Sequence, residues 1–135
     1  MVRDSQTGLY HEEYFNELLA LEKKRAERSK TPMSLMLADL SAIGDVSERK
    51  KIAKSMMEVL SDVTRDTDVK GWHVHGLVVG IMFTEVTDKE ATLQRVQQHV
   101  ADNCLLVSPL INFTVTGDTG HHPVKYAGYK RREAE

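Results

Sequence analysis

The sequence predicts an α/β (α+β) sandwich, with helices flanking a mixed central sheet that contains an antiparallel hairpin. Three observations predict it. Two apolar and β-branched runs, Val69 to Val74 and Leu77 to Phe83, are separated only by His75-Gly76. An X-Gly pair between such runs signals a hairpin, because glycine takes φ > 0 without a Cβ clash. Three longer stretches repeat apolar residues at helical spacing, and two further short apolar runs read as strands. The resulting order is helix, strand, helix, strand, strand, helix, strand, which suits a layered ferredoxin-like arrangement.

Taken in order, Thr7-Gly8 marks a turn and an amphipathic helix follows, with Phe15, Leu18, Leu19 and Ala26 on one face. Arg28 and Lys30 crowd its last turn, where positive charge suits the helix dipole, and Pro32 stops it. Met33 to Leu40 is apolar enough for a buried strand ending at Asp39. Asp45 and Glu48 have the spacing of a capping box and open a second helix, whose buried face is Ile52, Met56, Val59, Leu60 and Val63.

In the hairpin, Leu77, Val79, Ile81 and Phe83 point to one face and Val78 and Met82 to the other, so this strand is central and covered on both sides. Thr87 and Glu90 form a second capping box for a helix with Leu93, Val96 and Val100 inward. Cys104 to Val107 and Ile111 to Thr116 read as strand, interrupted by Ser108-Pro109. Residues 1–117 are expected to form one domain and 118–135 a polar tail.

Composition narrows the function. With 28% charged residues and a net charge of −2, the chain lacks the basic excess that nucleic acids attract. A single cysteine, Cys104, cannot form an internal disulfide and has no basic neighbour to activate it. No apolar run is long enough to span a membrane, and the expected location is the cytoplasm. His73 and His75 alternate on a strand without a third ligand at usable spacing, and His121-His122 reads as a solvated pair. Trp72 is either a core residue or a stacking platform for a purine. Met33, Met36 and Met56 read as core filler. Asp39, an acid ending a buried strand, either caps the following turn or faces a ligand.

From about Asp4 to about Thr116 the sequence resembles the GGDEF domain of diguanylate cyclases. That family opens with Asp-x-Leu-Thr-Gly-Leu-x-Asn-Arg-Arg. Asp4, Thr7, Gly8, Leu9 and the aromatic pair Tyr14-Phe15 match, whereas Gln6, His11, Glu12 and Glu13 depart. SKTPMSLMLADL and the helix running into TRDTD continue the likeness. The resemblance implies a nucleotide-cyclase-like fold; in the family the domain condenses two GTP molecules into cyclic di-GMP, as a dimer with divalent metal.

The same resemblance implies lost chemistry. The signature pentapeptide falls on Val74, His75, Gly76, Leu77 and Val78, none of them acidic, so of the family's metal site only a vestigial Asp39 remains. Phosphoryl transfer between two triphosphates depends on divalent ions to neutralise charge. The segment after Asp39 is short and lacks the residues that read guanine. No catalytic residue, metal or cofactor is expected.

Arg65 and Asp68, in contrast, keep the Arg-x-x-Asp spacing of the family's product-binding inhibitory site. A guanidinium can donate to guanine O6 and N7, and a carboxylate can accept from the opposite edge. The plainer alternative is that Arg65 pairs with Asp68 or covers a helix C-terminus. LEKKRAERSKTP and TRDTDVKGW also resemble GGDEF-like domains associated with bacterial exopolysaccharide synthesis. Two functions follow: a catalytically inactive, cyclic di-GMP-responsive signalling module, or a nucleotide-independent interaction or dimerisation module. An active cyclase is the third.

Overall fold

The computed structural model describes residues 2–30, 33–64, 68–84, 89–103 and 108–116. The elements are α1 (Glu12–Ser29), β1 (Met33–Asp39), α2 (Val46–Val63), β2 (Val69–Val74), β3 (Val78–Thr84), α3 (Lys89–Asn103), a 3₁₀ turn at Ser108–Leu110, and β4 (Asn112–Thr116). The strands lie in the order β2-β3-β1-β4, and each neighbouring pair is antiparallel. From β1 onward this is the βαββαβ arrangement of ferredoxin-like folds, with α1 added ahead of it.

The expected mixed sheet is therefore an antiparallel one. The crossover β1-α2-β2 leaves a gap that β3 fills, so the two strands that run in the same direction are not neighbours. Among the described residues the parallel component is a single bridge between Tyr10 and Gly71. There the Tyr10 N–H donates to the Lys70 carbonyl (3.2 Å) and the Trp72 N–H to the Tyr10 carbonyl (3.0 Å), which covers part of the outer edge of β2.

All seven residues of β1 are buried, because both sheet faces are covered. Met33, Leu35 and Leu37 pack with Phe15, Leu19 and Ala26 of α1 and with Val78 and Met82 of β3. On the other face, Met36 and Ala38 join Val79, Ile81 and Phe83 of β3, Ile52, Met56 and Leu60 of α2, and Val96 and Val100 of α3. The three methionines singled out in the sequence are core. Gly71 and Gly80 stand opposite each other on β2 and β3, and a Cβ built on either would come within 2.7 Å of the Phe15 ring. The two glycines thus form a slot into which α1 inserts its aromatic side chain.

The hairpin loop is His75–Leu77, one residue longer than the sequence suggested. The Leu77 N–H donates to the Val74 carbonyl (3.0 Å) across the turn, and the Leu77 carbonyl accepts from the Leu40 N–H (2.8 Å). Gly76 takes φ +77, which glycine alone reaches without strain. Held in the turn, Leu77 leaves the strand alternation and packs toward the α1 side, opposite to the face expected for it.

Helix α2 starts after Asp45 as expected, yet the Asp45 side chain makes no capping hydrogen bond, so the capping box is not closed. Helix α1 ends at Ser29 with Lys30 in the left-handed region at φ 58. Pro32, Thr87, Cys104 to Val107 and the 118–135 tail lie outside the described residues, and with them the expectations placed there. No helix among the described residues is long and apolar enough to cross a membrane.

Candidate functional site

The candidate site lies where the end of β1, the β1–α2 loop and the β2–β3 turn meet. Asp39 ends β1 opposite Val78 of β3 and Asn112 of β4 and is buried. Its Oδ1 accepts the Ser41 N–H at 2.9 Å, an Asx turn that bends the chain out of the strand. The turn-capping role expected of this carboxylate is thus present. Val74 closes β2, His75, Gly76 and Leu77 form the turn, and Val78 opens β3, so the pentapeptide spans the hairpin tip.

Arg49, in the first turn of α2, reaches this tip from the side. Its Nε donates to the Gly76 carbonyl (2.9 Å) and its Nη1 to the Ile43 carbonyl (2.7 Å). Sequence reasoning missed Arg49, since a basic residue among Glu48, Lys50 and Lys51 reads as part of a solvated helix face. From α1, Glu12 Oε1 accepts the His75 N–H (2.7 Å). Asn16 Nδ2 donates to the His73 carbonyl (3.1 Å), and its Oδ1 lies 2.8 Å from His73 Nδ1. The two histidines are therefore tied to the helix below them.

Among the described residues no group of three or more His, Cys, Asp or Glu side chains could hold a metal ion. A magnesium ion requires about six oxygen ligands in near-octahedral array. The turn contributes no carboxylate, and the Gly76 and Ile43 carbonyls already accept from a guanidinium. Among the described residues the donor set does not fit the divalent ion used by the family that the sequence resembles.

Of the proposed ligand pair, Asp68 precedes β2 and is buried; Arg65 lies outside the described residues, and so does the pairing of the two. Nearby, Lys70 Nζ donates to Thr64 Oγ1 (3.0 Å), while that hydroxyl donates to the Leu60 carbonyl (2.7 Å).

Trp72 is 1% exposed and its indole N–H donates to Asp4 Oδ2 (3.1 Å). It is a core residue and cannot serve as a stacking platform. Asp4 also accepts from the Gln6 N–H (2.9 Å) and the Thr7 hydroxyl (3.0 Å). Burial pushes its carboxyl up, but the hydrogen bonds from Gln6, Trp72 and Thr7, with the nearby His11, outweigh that and hold it below its ordinary value. The opening motif is thus a clamp: Asp4 and Thr7 fold the segment on itself, Gly8 takes φ 85, and the whole is fastened to β2 through Trp72. A separate polar groove of about 220 Å³ lies between α2 and α3, lined by Ser55, Glu58, Asp62, His99 and Asn103 over Val59.

No family model matches the chain, and no curated protein sequence matches it. Solved structures do. The GGDEF domain of FimX from Pseudomonas aeruginosa superposes with a TM-score of 0.71 at 15% identity, over 92% of this chain and 84% of that one. The GGDEF domain of DgcB from Caulobacter crescentus, solved in complex with c-di-GMP, gives 0.65 at 14% identity, over 98% and 86%. The diguanylate cyclase SiaD of Pseudomonas aeruginosa, in complex with its activator SiaC, gives 0.60 at 15% identity, over 98% and 54%. This chain has the fold of GGDEF domains.

Proposed function

We propose that the chain is a catalytically inactive signalling domain of GGDEF type that responds to cyclic di-GMP through Arg65 and Asp68. The observation that carries the reading is the make-up of the hairpin tip: Val74 to Val78 contain no acid, and Asp39 faces Val78 in register. Phosphoryl transfer, which depends on divalent ions, is left there, among the described residues, with one buried carboxylate, which already accepts a turn amide. The ligand half of the reading is supported by the Arg-x-x-Asp spacing and by a structural neighbour solved with c-di-GMP.

Incubation with GTP and magnesium is expected to give no cyclic dinucleotide, and product formation would overturn the inactive assignment. Cyclic di-GMP is expected to raise the thermal midpoint of the wild-type chain and to leave that of Arg65→Ala unchanged; equal responses would remove the proposed site. Wording shared with exopolysaccharide-associated domains supports polysaccharide machinery as the downstream target.

The second reading, a nucleotide-independent interaction or dimerisation module, is favoured by the uncharged outer strand β4, Asn112-Phe113-Thr114-Val115-Thr116. It predicts a concentration-dependent mass by light scattering with no response to nucleotide.

A further inference from the structure

The ion implied by the shared fold has no fitting donor set at the hairpin, yet a cation is present there. We infer that Arg49 is a built-in cationic strap that fixes the β2–β3 turn to the β1–α2 loop and so holds the hairpin tip in place without a metal ion. Two backbone carbonyls from separate loops, Gly76 and Ile43, converge on one guanidinium at 2.9 and 2.7 Å. Convergent carbonyl oxygens repel one another and lose water on approach, so the arrangement requires a cation or a set of donors between them.

A guanidinium supplies both at once. Its planar fork carries five N–H donors, and it keeps its charge throughout the pH range in which proteins fold. Arg49 is half-buried, which strengthens both hydrogen bonds relative to an exposed pair. The turn is also held by the Leu40 N–H to the Leu77 carbonyl and, from the opposite face, by Glu12 on the His75 N–H. With these anchors the tip is set by the chain's own groups, and its position does not depend on divalent ions. The inference concerns the hairpin and stands apart from ligand binding at Arg65.

Amide hydrogen exchange followed by NMR tests it, with Leu77 and Leu40 as reporters at the turn and Val96 and Leu60 as reporters in the core. In Arg49→Met the turn amides are expected to exchange about tenfold faster or more, with core amides unchanged. In the wild type, magnesium or manganese ions are expected to change neither the turn protection nor the thermal midpoint. Unchanged turn protection in Arg49→Met overturns the strap, and so does protection of the wild-type turn by a divalent ion. Should Arg49→Met fail to fold, Arg49→Gln decides: glutamine keeps a polar side chain but neither the charge nor the fork, so faster exchange confined to the turn supports the inference and wild-type protection contradicts it. Cyclic di-GMP binding, measured separately, reports on the receptor reading alone.

Discussion

Asp4 turns a short sequence motif into a tertiary anchor. Its carboxylate accepts from Gln6, Thr7 and the indole of Trp72, which lies 68 positions along the chain. Because its folded pKa is lowered from 3.8, its contribution to stability is present above that value and disappears as pH falls through the still lower folded value. Thermal unfolding from neutral pH to about pH 3 should therefore show Asp4→Asn with a flatter acid limb than the wild type. At neutral pH the same variant is expected to lose about 1–3 kcal/mol, since hydrogen bonds to a charged acceptor are replaced by weaker ones. A wild-type acid limb in Asp4→Asn would remove Asp4 from the account. The motif residues were visible in the sequence, but their tie to Trp72 was not, because nothing local links an aspartate at the N-terminus to an indole on β2. Arg49 was hidden for a related reason: its carbonyl partners, Gly76 and Ile43, come together only after the chain has folded.

At the scale of elements, the α-helices and strands within the described residues lie within a residue or two of where periodicity placed them, because amphipathic spacing is a local property that the core then honours. Leu93, Val96 and Val100 of α3 and the alternating residues of β1 are examples. Two features depended on register and were not legible. One is the added turn residue, set by the Leu40 N–H to the Leu77 carbonyl. The other is the Gly71 and Gly80 slot for Phe15, which exists only because β2 and β3 align those glycines. Gly71→Ala brings a methyl within 2.7 Å of the Phe15 ring and is expected to cost about 1–3 kcal/mol through overpacking. Truncating the ring alone is expected to cost about 3–5 kcal/mol. In the double variant Gly71→Ala, Phe15→Ala the clash has no partner, so the combined loss should fall well short of the sum of the single losses. Chemical denaturation of the three variants reads this directly, and strict additivity would show that the slot does not couple α1 to the hairpin.

For the whole molecule, the sequence conveyed the sandwich and its relation to GGDEF domains, and the structural neighbours bear out the fold at 14–15% identity. The sheet proved antiparallel because β3 separates β1 from β2, a matter of strand order that composition does not encode. At the site, Asp39 stands opposite Val78, the last residue of the pentapeptide, and the guanidinium that reaches the turn comes from Arg49 of α2. The proposed function is that of a GGDEF-type fold without catalysis that binds cyclic di-GMP through Arg65 and Asp68. Calorimetric titration of the intact chain with cyclic di-GMP, beside Arg65→Ala and Asp68→Asn, tests that most directly. The account predicts a saturable isotherm with a dissociation constant on the order of micromolar, weakened by about tenfold or more in each variant; absent heat in the wild type, or equal affinity in all three proteins, would contradict it.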